Sequence, residues 1–459
     1  MTSKLMKSVS GIRGIVGDTL VPELIVKVGS AFSKYTKRGK VVIGRDSRPT
    51  GEAISKGLES VLILSGCDVI DLGIVPTPTV QLMVEELEAS GGIVISASHN
   101  PVEWNAFKLI NSRGTFLSPL EINKFFSMME SGIKYQRWDK IGGISYNNES
   151  QNIHINRVLK VVDAEKIKKR KYKVVLDSVN GAGSEITPKL LYELGCDVVT
   201  LYCDNSGIFK RGPEPLVENL SGLSKMVVSE SADIGFAQDP DADRLAIIDE
   251  KGVPIGEENT IALVVEHLLS IKPGRVVINL STTKAVEDIA GRYGVKFKRT
   301  RVGEINVVDD MLKYGARIGG EGNGGVISPE VHYGRDSLVG IGYILEMMTE
   351  RKMSLSQLVS DLPSYVMKKG KVRLSVNEIS DQFFKDIEEM HCSEKISNID
   401  GIRIDFVNDS AFKGGWAHLR ASNTEPIFRI ITEGRDKKQA EKIYSHFAKM
   451  LKNKPGMSV

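Results

Sequence analysis

The chain has 459 residues, 41% of them hydrophobic and 26% charged, proportions of an ordinary soluble globular protein. At about 100–200 residues per domain, that length calls for three or four hydrophobic cores rather than one. Basic and acidic residues nearly balance, 61 against 58 for a net charge of +3. This excludes a general attraction to nucleic acid or to a membrane surface, so any anion must be held by a local site.

Along the chain, one unit is written three times. The first copy begins Lys40-Val41-Val42-Ile43-Gly44 and runs through a helical stretch to Gly66-Cys67-Asp68-Val69-Ile70-Asp71-Leu72. The second begins Lys173-Val174-Val175-Leu176-Asp177 and reaches Gly195-Cys196-Asp197-Val198-Val199-Thr200-Leu201. The third begins Arg275-Val276-Val277-Ile278-Asn279 and reaches Gly294-Val295-Lys296-Phe297-Lys298. Each copy predicts a short strand, a polar turn, a helix, a glycine stop and a second strand. The strands are apolar runs without alternation, as expected where both faces are covered. Repetition of such units predicts an α/β fold with mixed, largely parallel sheets.

After each copy comes another strand and then a polar loop. These strands are Gly92-Ile93-Val94-Ile95 before Ser98, Ala232-Asp233-Ile234-Gly235-Phe236 before Asp239, and Ala316-Arg317-Ile318-Gly319 before Glu321. Equivalent loops therefore carry different chemistries, and loops on a rigid scaffold are where function usually sits. From about Tyr365 the pattern changes to strand, helix, several strands and an amphipathic helix over Lys437 to Leu451. The expected division is three related α/β domains, 1–152, 153–252 and 253–364, and a smaller C-terminal α+β domain, 365–459.

Asp239-Pro240-Asp241-Ala242-Asp243-Arg244 is the most informative loop. In an extended loop, residues i, i+2 and i+4 project to one side, so three carboxylates converge. Like charges that close call for a cation, and hard carboxylate oxygens suit Mg²⁺. An EF-hand fails because Arg244 stands where the turn needs glycine and Leu245-Ala246-Ile247-Ile248 reads as a strand. In Ser96-Ala97-Ser98-His99-Asn100-Pro101 the spacing leaves Ser96 and Ser98 equally eligible as a phosphate carrier. No G-x-S-x-G elbow surrounds them, and an adjacent His is poorly placed to take its neighbour's proton. Gly320-Glu321-Gly322-Asn323-Gly324-Gly325 formally contains G-x-G-x-x-G, but a glutamate inside a phosphate cradle would repel pyrophosphate. A glycine-rich hairpin displaying Glu321 and Asn323 to sugar hydroxyls fits better. Arg420-Ala421-Ser422-Asn423-Thr424-Glu425-Pro426, with Arg429 nearby, gathers the donors that phosphate recognition uses.

Together these four loops resemble the motifs of the α-D-phosphohexomutase family, in family order and across nearly the whole chain. Ser10-Gly11-Ile12-Arg13-Gly14 and Gly44-Arg45-Asp46-Ser47-Arg48 resemble its N-terminal signatures. The resemblance implies four domains around a central cleft and chooses Ser98 over Ser96 as the phosphoserine. It implies Mg²⁺ held by Asp239, Asp241, Asp243 and a phosphate oxygen on Ser98. Arg13, Lys108 and Arg244 match basic residues of the family's active centre, with His99 beside the serine as a loop support or catalytic group. Glu321 matches the sugar-contacting glutamate, with Asn323 beside it; Arg420, Ser422, Asn423, Thr424 and Arg429 match the distal phosphate site.

Three positions depart from the common pattern: Asn323 where many members have serine, Gly325 where many have histidine, and Asn423 in place of glycine. These variants look like the archaeal-type phosphoglucosamine mutase branch. The implied partners are a hexose phosphate substrate and a hexose bisphosphate intermediate. A phosphomannomutase/phosphoglucomutase is the alternative within the family, and a phosphatase and a non-catalytic sugar-phosphate sensor are the remoter readings of the same residues. Cys67, Cys196, Cys203 and Cys392 lack CxxC spacing, so reduced thiols in a cytoplasmic protein are expected. The start shows no signal-peptide pattern, and no apolar run approaches the roughly 20 residues needed to span a bilayer.

Overall fold

The structure is a computed structural model that describes residues 5–9, 11–132, 134–373, 381–421 and 427–452. Among the described residues the first sheet has seven strands: β1 (Met6–Ser8), β2 (Gly11–Ile15), β3 (Val41–Arg45), β4 (Val69–Ile74), β5 (Gly91–Ile95), β6 (Trp104–Asn111) and β7 (Ile144–Tyr146). Their order is β1-β2-β6-β5-β3-β4-β7. The second sheet is built from β8 (Lys173–Asp177), β9 (Asp197–Leu201), β10 (Ile234–Gln238) and β11 (Leu245–Ile248), ordered β11-β10-β8-β9. The third comprises β12 (Val276–Asn279), β13 (Phe297–Thr300), β14 (Ile318–Glu321) and β15 (Gly325–Ile327), ordered β13-β12-β14-β15.

The three repeats fold alike, which bears out the α/β reading with mixed sheets. In each, the first strand of the unit (β3, β8, β12) is flanked in parallel by the second (β4, β9, β13) and by the strand that precedes the polar loop (β5, β10, β14). The strand after the loop (β6, β11, β15) turns back antiparallel. The helices Gly51–Leu64, Gly183–Glu193 and Ala285–Arg292 make the crossovers. All three polar loops therefore leave the carboxyl end of a buried parallel strand, the edge of an α/β sheet where ligands bind.

The last sheet is antiparallel: β16 (Val366–Arg373), β17 (Lys395–Ser397), β18 (Ile402–Asp405), β19 (Trp416–Ala421) and β20 (Ile427–Gly434), ordered β16-β20-β19-β18-β17. The helices Asp381–Met390 and Lys437–Lys452 complete this α+β unit.

One continuous apolar core runs through the three α/β domains, from Val42 and Val80 through Leu176 and Phe236 to Ile261, Val326 and Ile344. Shared packing of this kind fixes the three loops relative to one another. The C-terminal domain has its own core, including Phe383, Phe428 and Phe447. It meets the third domain through polar contacts: Lys284 N–H donates to Glu433 Oε2 (2.9 Å), Val302 N–H to Asp400 Oδ2 (2.9 Å), and Arg403 to the Leu280 carbonyl. Among the described residues, no helix is long and apolar enough to cross a membrane.

Candidate active site

Ser98 lies in the loop between β5 and β6 with φ +50°. That left-handed conformation costs a non-glycine residue on the order of 1 kcal/mol, so neighbours must hold it. Ser96 Oγ donates to Asp46 Oδ2 (2.6 Å) and accepts the Ser98 N–H (2.9 Å). Arg48, fully buried, pairs with Asp46 and donates from Nη2 to the carbonyls of Ser98 (2.8 Å) and Asn100 (2.6 Å). The Ser96 hydroxyl is thus committed inward. The Ser98 hydroxyl faces the second domain and donates to Asp239 Oδ2 at 2.8 Å.

His99 Nδ1 lies 3.4 Å from Ser98 Oγ and accepts from Arg244 Nη2 at 3.0 Å. Burial, Arg244 and Arg13 hold this imidazole well below its usual range, so it is neutral. With its Nδ1 lone pair committed to a guanidinium, His99 aims Arg244 rather than accepting the serine proton.

The aspartate loop differs in form from the extended strip the alternation predicts. Ala242 has φ +52°, its N–H donates to the Asp239 carbonyl (3.0 Å), and Asp239 Oδ1 accepts from the N–H groups of Asp243 (3.1 Å) and Arg244 (3.2 Å). A tight turn, not alternation, converges the carboxylates, and one oxygen from each lies within 4.8 Å of the others. Gly181 makes room for it, since a Cβ there would stand 2.7 Å from Pro240 Cα. The first domain grips the turn through Thr77, whose N–H donates to the Asp241 carbonyl (3.0 Å) and whose hydroxyl donates to Asp241 Oδ2. The third domain grips it through Ser337 Oγ, which donates to the Ala242 carbonyl (2.6 Å).

All three aspartates are fully buried. Burial, Asp243 and Asp241 push the Asp239 carboxyl well above its ordinary value. Burial would raise Asp241 too, but Lys108 and the Thr77 hydroxyl outweigh it and hold that carboxyl well below the usual range. Lys108 Nζ pairs with Asp241 and stands 3.5 Å from Asp243 Oδ2. Burial alone would lower Lys108, yet the two carboxylates raise it, so it remains an ammonium. Asp241 Oδ1 and Asp243 Oδ1 make no hydrogen bond despite their burial. Buried carboxylate oxygens without hydrogen bonds, in a set of hard donors, fit a divalent cation.

Arg335, which no sequence motif marks, joins this loop to the glycine-rich loop between β14 and β15. It pairs with Asp243 Oδ2 (2.7 Å), Glu321 Oε2 (2.7 Å) and Glu304 Oε2 (3.1 Å). Burial pushes the Glu304 carboxyl up to about 7 against the pull of Arg335. Glu321 ends β14 and its Oε1 accepts from Asn279 Nδ2 (2.7 Å) and the Gly303 N–H (3.0 Å). β14 and β15 form the expected glycine-rich hairpin. Its turn needs Gly324, at φ +84°, because a Cβ would meet the Leu245 carbonyl oxygen at 2.3 Å. Asn323 Oδ1 is buried there without a partner.

Arg13, on β2, donates from Nη1 to Asn100 Oδ1 (3.0 Å), and its guanidinium is pushed down to about 10 by burial. Arg244 is bound through Nη1 to Glu214 Oε1 at 2.8 Å. Arg420 and Arg429 face each other across the β19–β20 ladder. Burial pushes the Arg420 guanidinium down, with Asp400 and Glu321 opposing, so the C-terminal domain looks toward the glycine-rich loop that carries Glu321. Ser422, Asn423 and Thr424, like Ser10, lie outside the described residues. Besides Arg335, the sequence reading assigned no role to Asp46, Arg48, Thr77, Glu214 or Glu304. The Gly44-Arg45-Asp46-Ser47-Arg48 signature was the one visible signal for the first two.

Comparison with known proteins places this arrangement. Residues 4–136, 152–252, 257–365 and 372–450 match, in order, the three alpha/beta/alpha domains and the C-terminal domain described for phosphoglucomutase/phosphomannomutase. The chain is 38% identical over 454 residues to a phosphoglucomutase/phosphomannomutase of Thermococcus kodakarensis, covering 96% of this chain and 97% of that one. It is 33% identical over 447 residues to a probable phosphoglucosamine mutase of Methanopyrus kandleri, covering 96% and 97%. The crystal structure of a phosphoglucomutase/phosphomannomutase family protein from Burkholderia thailandensis superposes with a TM-score of 0.85 at 25% identity, covering 98% of this chain and 97% of that one.

Proposed function

The chain belongs to the phosphoglucomutase/phosphomannomutase family of phosphohexomutases, and from that premise we propose that it converts glucosamine 6-phosphate to glucosamine 1-phosphate and back. The reaction runs through a phosphoserine at Ser98 and a hexosamine bisphosphate. One contact carries the reading: the Ser98 hydroxyl, at 2.8 Å from Asp239 Oδ2, is the serine of its loop that faces the carboxylate cluster.

In the forward sense the bond between phosphorus and Ser98 Oγ breaks, and phosphorus bonds to the free hydroxyl of the hexose phosphate. The hydroxyl gives up its proton and Ser98 Oγ regains one. The bisphosphate turns over in the cleft, and its other phosphoryl group returns to Ser98. Arg13, Arg244 and the Lys108 ammonium stabilise charge on the group in transit, the main task in such a transfer. Lys108 and Arg13 are also the candidates for moving the proton. Asp239, Asp241, Asp243 and a phosphate oxygen on Ser98 would hold Mg²⁺, which supplies further neutralisation of phosphoryl charge. Glu321 and Asn323 Oδ1 offer acceptors to ring hydroxyls in either orientation, while Arg420 and Arg429, with Ser422, Asn423 and Thr424, hold the phosphate that is not reacting. A cytoplasmic setting fits the four free cysteines.

The glucosamine assignment is supported by the Methanopyrus kandleri relative and by Asn323 and Gly325 in the sugar loop. The 38% identity to a phosphoglucomutase/phosphomannomutase favours a second reading, turnover of glucose and mannose phosphates. The test is kcat/KM for glucosamine 6-phosphate, glucose 1-phosphate and mannose 1-phosphate, each primed with its 1,6-bisphosphate. A preference of tenfold or more for glucosamine 6-phosphate, about 1.4 kcal/mol, supports the first reading. Equal or inverted ratios establish the second.

A further inference from the structure

A second buried cluster lies outside the phosphoryl-transfer centre and has no part in the mechanism above. It comprises His154 on the helix Ser150–Leu159, His332 in the loop after β15, and Asp336 at the start of the helix Ser337–Arg351. Each offers one donor atom, and the three atoms lie within 4.8 Å of one another. The exposures are 0%, 2% and 0%. Asp336 Oδ1 caps its helix, accepting from the N–H groups of Leu338 (2.8 Å) and Val339 (3.4 Å). Its Oδ2 is left for the imidazoles, 2.9 Å from His154 Nε2 and 3.5 Å from His332 Nε2. Thr79 Oγ1, on the helix Thr77–Glu86, fixes the other side of the His154 ring at 2.9 Å from Nδ1.

A hydrogen-bonded histidine–aspartate pair would account for His154 and Asp336 alone. It leaves His332 with one long ion-pair contact, 3.5 Å from Nε2 to Asp336 Oδ2, and no hydrogen bond at either ring nitrogen although the side chain is almost completely buried. Buried polar groups rarely stay unmatched, and each such case calls for a partner. Two imidazole nitrogens and one carboxylate oxygen are the donors of a zinc-class ion rather than of Mg²⁺. Around a tetrahedral zinc, ligand atoms stand about 3.3 Å apart, between the two separations found here. The Thr79 hydroxyl supplies the outer contact that orients a ligating imidazole.

We propose that His154, His332 and Asp336 form a second metal site, for a divalent transition ion of the zinc class, separate from the aspartate triad. The ion would join the domains: His154 comes from the helix that opens the second, His332 and Asp336 from the third, and the supporting Thr79 from the first. It would also anchor Arg335, the residue next to Asp336, whose guanidinium ties Asp243 to Glu321. The site does not depend on which sugar the enzyme takes.

The experiment uses the full chain in excess Mg²⁺, stripped with a chelator, reloaded with Zn²⁺ or Co²⁺ and freed of loose metal by gel filtration. The expected result is one equivalent of retained Zn²⁺ by elemental analysis, and the intense visible bands of four-coordinate Co²⁺. His332→Ala should lose that equivalent, and Thr79→Val should weaken Zn²⁺ binding about 10- to 100-fold. Should His332→Ala not fold, the Co²⁺ spectrum of the unaltered chain decides. Weak octahedral bands alone, no retained equivalent, or an equivalent that survives in folded His332→Ala would overturn the proposal.

Discussion

Replacing Arg48 with methionine removes a buried cation that holds the serine loop from beneath. Arg48 and Asp46 are both fully buried, and the guanidinium also donates to the carbonyls of Ser98 and Asn100. Taking away one partner of a buried pair typically costs about 3–5 kcal/mol. The lower end applies here, because burial already pushes the Asp46 carboxyl up against the pull of Arg48, so without Arg48 it takes a proton rather than staying charged. The first unfolding transition in urea should therefore move down by about 3 kcal/mol. Ser98 would lose its hold at φ +50°, and a misplacement of about 1 Å costs on the order of 100-fold in kcat. Asp46→Asn/Arg48→Met separates the two effects, since it removes both charges. The stability should largely return while kcat stays low. Full recovery of kcat in the double variant, or an unchanged kcat in Arg48→Met, would refute the positioning argument.

Three further changes address other parts of the site. Asp241→Asn keeps a hydrogen-bond acceptor for Thr77 but removes the countercharge of Lys108 and one candidate metal ligand. Mg²⁺ affinity and kcat should both fall at least tenfold, and titration showing unaltered Mg²⁺ affinity would contradict the assigned ligand set. Arg420→Met should lower kcat/KM about 10- to 100-fold, the worth of a charge-assisted hydrogen bond, with no change in Mg²⁺ dependence. His418, between Ser281 Oγ (2.9 Å) and the Asp400 carbonyl (2.7 Å), is pushed down to about 4 by burial. The unfolded chain binds its proton near pH 6.5 and the folded chain resists it, so stability is complete above about 6.5 and falls as pH drops toward 4. The loss approaches about 3 kcal/mol across that window. His418→Gln should flatten the pH dependence of thermal unfolding; an unchanged slope would remove His418 as its source.

Much of the fold was legible because the repeated apolar runs at Val41, Val174 and Val276 have few ways to be buried. Each became a strand with a parallel neighbour on either side, and the three loops landed at matching edges. The residue types of the loops were legible: three aspartates gather at one turn, and a glycine-rich hairpin carries Glu321. Their shape was not. Alternation predicted an extended aspartate loop, whereas Ala242 adopts a left-handed turn that Asp239 Oδ1 stabilises. Contacts between distant positions were also hidden, since nothing near Ser96 in the sequence announces that Asp46 takes its hydroxyl. Spacing could not separate Ser96 from Ser98 for that reason. Arg335 was overlooked likewise, because an arginine before a helix carries no mark of burial, and its three carboxylate partners come from Asp243, Glu304 and Glu321.

The central claim is that phosphate travels on Ser98. The most direct measurement incubates the full chain with hexose 1,6-bisphosphate labelled in its phosphates, then maps the label by peptide mass spectrometry and chases it with unlabelled hexose phosphate. The account predicts label on Ser98 that leaves with the chase, and loss of several orders of magnitude in turnover for Ser98→Ala while Mg²⁺ binding largely survives. Label on Ser96, or near-normal mutase activity in Ser98→Ala, would contradict it.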